Sequence, residues 1–134
     1  MANPLTLADV VAIHAFAMEQ FGFAPRPLRD EGALESAISR TRAAEYYEDA
    51  DLIRQAALLA IGISQAQAFL DGNKRTAFLA MDTFLEMNDL EFTGERLELA
   101  RQLEAVAERS GERAAAERDF EEWLRERVGP LSPT

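Results

Sequence analysis

Five consecutive residues, Asp71-Gly72-Asn73-Lys74-Arg75, combine the side chains that a phosphate-binding loop needs. They open a segment with helical periodicity, and the start of a helix carries unpaired N–H groups with partial positive charge, where phosphate oxygens bind. Gly72 permits a tight turn, and Asn73 can cap the helix or bond a phosphate oxygen. Because helical side chains lean toward the N-terminus, we expect Lys74 and Arg75 to reach back over the anion.

The carboxylate of Asp71 gives this stretch a second chemistry. Alone it would repel phosphate, but it is a suitable ligand for Mg²⁺ that bridges two phosphate groups. The same residues also fit a solvated turn between two helices, with a capping Asn and two surface cations. A short motif of this kind is a hypothesis that needs structural context.

Composition limits the partners and the compartment. The chain has 134 residues, 14 Lys+Arg and 24 Asp+Glu, giving a net charge of -10 that repels a nucleic-acid backbone. We therefore expect no direct binding to nucleic acid. Cysteine is absent, which excludes disulfides and agrees with a reducing cytoplasm. The N-terminal residues do not resemble a signal peptide and no long apolar run is present, so we predict a cytoplasmic protein without a membrane span.

Apolar residues recur mostly at spacings of three and four, which predicts an all-α fold of about six helices in a single domain over residues 1–134. The core is expected over about 5–128, with a terminal tail at 129–134. Thr6 and Asp30 are the expected caps of the first two helices, the second giving way to a polar connection at 45–51. The remaining helices are predicted at about 52–66, 73–88, 95–109 and 117–128. The helix at 52–66 has no polar face, which is typical of a buried central helix.

Three connections receive separate predictions. Residues 23–29 read as a proline-containing loop, and the charged segment at 108–119 as a solvated link between the last two helices. Leu90 and Phe92 show the alternation of apolar residues that is typical of a short strand. The stretch is too short to predict a sheet, but it is compatible with a hairpin flap. The connection between the two central helices, residues 67–72, is called the motif loop, and Phe69 is expected to anchor it in the core.

Residues 69–76 fit the signature of the Fic/Doc superfamily, His-x-Phe-x-(Asp or Asn)-(Gly or Ala)-Asn-(Lys or Gly)-Arg, which lies between two central helices. Lys74 stands where most AMP-transferring Fic enzymes have Gly, so the chain resembles the death-on-curing (Doc) branch. The stretches LTLADVVAIHAFAMEQFG, LRDEGALESAISR and FLEMND also look like segments of that branch. The resemblance covers about residues 5–125 and implies a Fic/Doc-type helical bundle with the motif loop between two central helices.

The resemblance also implies a function. Doc is the toxin of a type II toxin-antitoxin pair, a kinase that uses ATP to phosphorylate a threonine of translation elongation factor Tu and that is neutralised by the antitoxin Phd. By the resemblance, Asp71 would hold Mg²⁺ and position the substrate. Gly72, Asn73 and the loop amides would hold phosphates, and Lys74 and Arg75 would neutralise charge. We accordingly expect ATP and Mg²⁺ as cofactors and a Phd-like antitoxin as partner.

One residue departs from the signature at its most important position. Gln67 stands where the family has the histidine that removes the proton of the attacking hydroxyl. An amide cannot accept that proton, although its oxygen can orient the hydroxyl. General-base catalysis contributes about 10²–10⁴-fold, so transfer is expected to be inactive or impaired. The alternatives are a relative that binds nucleotide or antitoxin without catalysis, and an AMP-transferring Fic enzyme.

Three residues outside the motif loop invite functional readings. His14 is the only histidine, but it lies among apolar residues, and we expect a packed, hydrogen-bonded core residue rather than a replacement base. Arg29 and Asp30 match the family and are expected to form an ion pair and a helix cap. The acidic C-terminal half reads as a solvated face whose helices could also form a groove for an antitoxin segment.

Overall fold

The computed structural model describes residues 1–24 and 27–133 and confirms the all-α class. Within these residues six α-helices are joined by short connections and one small sheet. In chain order the elements are α1 (Leu7–Gln20), α2 (Glu31–Glu48), α3 (Leu52–Ala66), α4 (Asn73–Met87), β1 (Leu90–Phe92), α5 (Arg96–Glu108), a 3₁₀ turn (Ser110–Glu112), α6 (Arg113–Arg125) and β2 (Val128–Pro130).

Helix α3 is the centre of the bundle, as its composition predicts. Nine of its residues are buried, and it packs against α2, α4, α5 and α6. Gly62 allows α2 to approach closely, since a Cβ there would lie 3.0 Å from the Cβ of Ala37. Burying both faces of α3 fixes its C-terminal end, and therefore the start of the motif loop, in the middle of the protein.

The first three helices begin at side-chain caps. Thr6 and Asp9 form a capping box at α1, and Asp30 accepts a hydrogen bond from the Ala33 amide at α2. Asp51 accepts a hydrogen bond from the amide of Arg54 at 2.9 Å at the start of α3. Each cap stabilises its helix by about 1 kcal/mol, so these boundaries are set by local sequence.

The prediction of a polar connection at 45–51 is wrong in extent, because α2 continues to Glu48. Ala44 packs with Ala50 and Leu58 in a small cluster, and this contact holds the last turns of α2 against α3. The helix ends at Asp49, whose φ of 53° is left-handed. The polar residues before Asp49 therefore form the exposed side of the last turns of α2 and do not end the helix.

The predicted solvated link before the last helix is also wrong in extent. Helix α6 begins at Arg113 and ends at Arg125, so that Ala116 and Glu117, assigned to the link or its edge, are buried. Glu117 accepts two hydrogen bonds from Arg40 of α2, both at 2.8 Å, and one from Arg113 at 3.2 Å. These charge-assisted bonds stabilise a helical turn whose sequence looks fully polar.

The strand-like stretch at 90–92 does form a strand, but it is not part of a hairpin flap. Its partner is β2 at the end of the chain, antiparallel, with Glu91 opposite Gly129. The expected tail at 129–134 therefore begins in a sheet, and the Leu131 amide continues the pairing to the Asp89 carbonyl at 2.9 Å. Phe92 contacts Trp123 of α6, which holds the sheet against the bundle.

Two further expectations concern connections and membranes. The predicted proline-containing loop at 23–29 includes residues 25 and 26, which lie outside the described residues. In the described part of the chain, none of the helices combines the length and the apolar character that crossing a membrane requires.

Candidate functional site

The motif loop turns the chain between α3 and α4 through two left-handed residues. Gln67 ends α3 with φ 51° and ψ 39°, and Gly72 precedes α4 with φ 79°. A Cβ at Gly72 would lie 3.0 Å from the sulfur of Met18 and 3.5 Å from Nε2 of His14. Both the backbone conformation and the close approach to α1 therefore require glycine at this position.

The side chain of Asn73 closes the loop from inside. Its Oδ1 accepts a hydrogen bond from the amide of Phe69 at 3.1 Å, and its Nδ2 donates to the carbonyl of Phe69 at 2.9 Å. Asn73 is buried, and it is the first residue of α4 rather than its cap. The cap position is Gly72, without a side-chain bond to the first turn, so the first turn of α4 has no side-chain cap.

Phe69 and His14 pack against each other on the buried side of the motif loop. Their rings stack with centroids 3.8 Å apart and planes inclined by 7°, and both residues are about 2% exposed or less. Nε2 of His14 lies 3.0 Å from the carbonyl oxygen of Asp71 and donates to it in the matching tautomer. The expectations for both residues are confirmed, since Phe69 anchors the loop and His14 is a packed, hydrogen-bonded core residue.

The segment before α2 holds the other end of the loop. The amides of Arg29 and Asp30 donate to the carbonyl of Ala68 at 2.7 and 3.0 Å, and Leu28 forms an isolated antiparallel bridge with Phe69. The Arg29 guanidinium donates to the carbonyl of Gln67. Asp30 is a cap as expected, whereas within the described residues Arg29 bonds the motif loop instead of forming the expected ion pair.

Gln67 is exposed at the end of α3, at the position where the signature has histidine. Its Nε2 donates to the carbonyl of Ser64 at 3.0 Å, so the amide folds back over the last turn of its own helix. That bond satisfies one of the carbonyls that a helix leaves unpaired at its end. The side chain is therefore used as a helix cap.

The two cations of the motif lie on the outer side of α4 with partners from different helices. Nζ of Lys74 lies 2.5 Å from Oε1 of Glu104 in α5, and this hydrogen bond lowers the pKa of the Glu104 carboxyl. The guanidinium of Arg75 lies over the ring of Phe21, 3.5 Å from its centroid. Both cations are exposed and placed at the start of α4, as the sequence predicts.

Two cavities meet at Lys74. A polar cleft of about 490 Å³ lies between the end of α3 and α5, and its lining includes Gln67, Lys74, Glu104 and Arg113. A smaller apolar cavity of about 190 Å³ lies between α4 and α5. Its lining residues are Lys74, Arg75, Phe78, Leu79, Arg96, Leu99, Ala100 and Leu103. Lys74 thus lines both the cleft that contains Gln67 and the apolar cavity.

The motif loop lies between two central helices, and its signature residues stand at the start of the second helix. A comparison with known families agrees with this arrangement. The model of the Fic/DOC family matches residues 4–85. The chain belongs to the Fic/DOC family. The matched part runs from the residues before α1 almost to the end of α4, so it contains the whole motif loop and both of its flanking helices.

A comparison with curated proteins favours the Doc branch of the Fic/DOC family. Toxin Doc of Mycolicibacterium smegmatis (strain ATCC 700084 / mc(2)155) is 39% identical to this chain over 70 residues. The aligned part is 51% of this chain and 54% of that protein, so the chain spans about half the length of the curated relative that it matches.

The described residues contain no group of three or more His, Cys, Asp or Glu side chains placed to hold a metal ion. Asp71, the carboxylate of the Fic/DOC motif, is exposed on the loop. A site for Mg²⁺ commonly combines one or two protein carboxylates with phosphate oxygens and water. The donor set here fits that form of binding and not a closed, all-protein site.

Three contacts and walls of the site in this Fic/DOC domain have no signal in the sequence. Arg29 contacts the carbonyl of Gln67 from 38 positions away, Glu104 pairs with Lys74 from 30 positions away, and α5 forms the wall of both cavities. The residues next to these positions in the sequence do not predict these contacts, because the contacts depend on how the helices pack. A matched family model that ends at residue 85 does not indicate α5 either.

Proposed function

We propose that this protein is a Doc-like toxin of a type II toxin-antitoxin system. Its scaffold is that of a protein kinase that uses ATP and Mg²⁺, acts in the cytoplasm on a threonine of translation elongation factor Tu and is neutralised by a Phd-like antitoxin. The proposal further holds that transfer is inactive or strongly impaired. It is supported by membership of the Fic/DOC family and by the similarity to Toxin Doc.

The observation that carries the proposal is the shared cleft of Gln67 and Lys74. A motif loop that had lost its function could keep its sequence and still bury or separate these positions. Instead, the residue at the histidine position and the cation at the start of α4 face the same space. This shared space supports a site in which the phosphate-binding residues are kept and the residue at the histidine position of the signature lacks a group that removes a proton.

The residues at the loop fit the phosphates of a nucleotide. Helix α4 starts without a side-chain cap, and its N-terminal amides carry partial positive charge. Lys74 is a point charge and Arg75 a planar fork at the same end of the helix. The left-handed Gly72 provides the tight turn that leads the chain into α4. Asp71 is the residue of this loop that we propose as the ligand of Mg²⁺.

Bound ATP would supply the phosphoryl group together with its metal. Toward it, Lys74 and Arg75 neutralise negative charge, and Arg29 and Asn73 keep the loop in its observed shape through bonds to Gln67 and Phe69. Gln67 can orient a hydroxyl through its Oε1 but cannot take the proton. Because phosphoryl transfer depends strongly on positioning and charge neutralisation, a small residual activity is consistent with this site.

The test is transfer from ATP labelled at the gamma phosphate to elongation factor Tu in the presence of Mg²⁺. We expect little transfer by the protein itself and a gain of about 10²–10⁴-fold in Gln67→His. Gln65→His is the matched control, since Gln65 lines the same cleft two positions away, and it should show no gain. Failure of Gln67→His to transfer label, with the fold intact, would contradict the kinase scaffold.

The position of the label separates the alternatives. Transfer of label from the alpha phosphate instead would identify an AMP-transferring Fic enzyme. Nucleotide binding without transfer by either form would identify a non-catalytic relative that binds nucleotide or antitoxin. That second candidate is favoured by one observation, the bond from Gln67 Nε2 to the carbonyl of Ser64, which uses the side chain as a helix cap.

A further inference from the structure

His14 has no part in the proposed transfer step, yet it is a buried polar residue in direct contact with the motif loop. It is 2% exposed, and its Nε2 lies 3.0 Å from the carbonyl oxygen of Asp71, 57 positions along the chain. A polar group that leaves water lowers stability unless it gains a hydrogen-bond partner. The bond to Asp71 is therefore the contact through which this histidine can act on the site.

The ring of His14 is held in a single orientation. It stacks on Phe69 with the centroids 3.8 Å apart and the planes inclined by 7°. The backbone of Phe69 is fixed in turn, because both of its polar groups bond the side chain of Asn73. A carbonyl oxygen only accepts, so Nε2 of His14 carries the proton of the bond to Asp71. With Nε2 used as a donor and the ring buried, His14 is not placed to act as a general base.

This hydrogen bond sets the direction of the peptide group between Asp71 and Gly72. The peptide is trans, and the C=O and N–H of a planar trans peptide point in opposite directions. The carbonyl of Asp71 is directed at the buried ring of His14, so the N–H of Gly72 is directed away from that ring and out of the core. An N–H with this direction, in the residue before a helix, is a donor for an anion.

Gly72 needs such a restraint because glycine adopts many backbone conformations. Its φ of 79° is left-handed, and a Cβ there would lie 3.5 Å from Nε2 of His14. The backbone of the loop therefore lies directly against the imidazole, with no side chain of residue 72 between them. Without the donor of His14, the peptide group loses the bond that opposes its rotation.

We propose that His14 is a positioning residue of the motif loop, which holds the Asp71 carbonyl toward the core so that the Gly72 amide faces a bound phosphate. The inference rests on the proposed function, because it needs a phosphate at the start of α4. It adds a residue of α1 that acts through the backbone of the loop. A site whose donors are oriented before binding gains affinity, since the ligand does not have to order them.

Two substitutions separate the donor of His14 from its ring. His14→Gln keeps an N–H donor and loses the stacked ring, whereas His14→Phe keeps a ring against Phe69 and loses the donor. Phe120→Leu, which shortens a buried side chain of α6, is the control for a general loss of stability. Thermal unfolding followed by circular dichroism ranks these variants and the unaltered protein by stability.

Binding of inorganic tripolyphosphate with Mg²⁺ is measured by calorimetry, and the amide signal of Gly72 is followed by nuclear magnetic resonance during the same titration. We expect an affinity about tenfold lower in His14→Phe, because an amide that bonds a charged group is no longer held in place. His14→Gln and Phe120→Leu should stay within about twofold of the unaltered protein. At saturation the Gly72 signal should shift in these proteins and much less in His14→Phe.

Several results would overturn the inference. Unchanged affinity in His14→Phe would show that the donor is not needed, and equal losses in His14→Gln and His14→Phe would assign the effect to the packing of the ring. An equal loss in Phe120→Leu would assign it to stability. If His14→Gln does not fold, the Gly72 signal decides alone. An equal shift in His14→Phe and in the unaltered protein then contradicts the role of His14.

Failure of the proposed function gives a different result. If tripolyphosphate does not bind to the unaltered protein, the phosphate site is absent, and the proposed function falls together with the role of His14. If it binds equally to the unaltered protein and to all variants, the phosphate site stands and only the role of His14 is lost. The measurements use the full chain and need no transfer, so the identity of residue 67 does not limit them.

Discussion

The side-chain amide of Asn73 bonds both backbone polar groups of Phe69. The distances are 3.1 Å from the Phe69 amide to Oδ1 and 2.9 Å from Nδ2 to the Phe69 carbonyl. The first residue of α4 therefore fixes the middle of the motif loop, and the loop amides are oriented by a buried side chain rather than by the ligand. A site that binds an anion gains affinity from such preorganisation.

Replacement of Asn73 by Ala should lower the free energy of unfolding by about 1–3 kcal/mol, because two buried backbone groups lose their partner. Asn73→Asp keeps an acceptor for the Phe69 amide but replaces the donor with a carboxylate oxygen beside the Phe69 carbonyl, so its loss should be at least as large. Urea unfolding measures both. An unchanged free energy of unfolding with weakened ATP binding would show instead that this side chain acts on phosphate directly.

Glu104→Gln should increase the affinity for tripolyphosphate by about twofold to about fivefold, because the carboxylate that pairs with Lys74 is removed. The effect is small since both side chains are more than half exposed. Glu108→Gln changes the charge by the same amount in the same cleft and is the control. Equal gains in the two variants would attribute the effect to net charge rather than to the ion pair.

Arg75→Ala should weaken nucleotide binding by about tenfold or more and change the free energy of unfolding by less than about 1 kcal/mol. The structural partner of Arg75 is the ring of Phe21, which is itself half exposed, so little stability depends on the contact. Phe21→Leu removes the ring and keeps the cation. A large loss of stability in Arg75→Ala with unchanged binding would assign the residue a structural role.

Stability should depend on pH through Glu117. Burial raises the pKa of this carboxyl, but hydrogen bonds from Arg40 and Arg113 outweigh burial and leave the pKa below its ordinary value. A lowered pKa in the folded state means that the stabilisation is complete above the unfolded pKa, about 4.3, and is lost as the pH falls through the folded pKa. Denaturant unfolding between pH 7 and pH 3 measures this loss.

Glu117→Gln should remove that pH dependence and lower the stability at pH 7 by about 1–2 kcal/mol, since Arg40 is partly exposed and can be solvated. Glu122→Gln, on the exposed side of the same helix, is the control and should keep the slope of the parent protein. The same slope in Glu117→Gln as in the parent would place the titrating group elsewhere.

Helix positions followed from the sequence where local physics decides them. The caps at Thr6, Asp30 and Asp51 are side-chain to backbone bonds within three residues, and the apolar surface of α3 is visible in its composition. Predictions were wrong where a long-range contact stabilises a polar segment. The end of α2 depends on packing against Leu58, and the start of α6 depends on the bonds between Glu117 and Arg40.

The sequence by itself determined the class of the fold and the placement of the motif loop between two central helices, and the resemblance it carries predicts that Gln67 stands at the histidine position of the signature. The spacing of apolar residues and the types of the motif residues predict these features. Only the tertiary structure decided that Arg29 holds the carbonyl of Gln67, that Glu104 pairs with Lys74, and that α5 encloses an apolar cavity beside the motif. The physical reason is distance along the chain, because contacts between residues 30 or more positions apart exist only after the helices have packed.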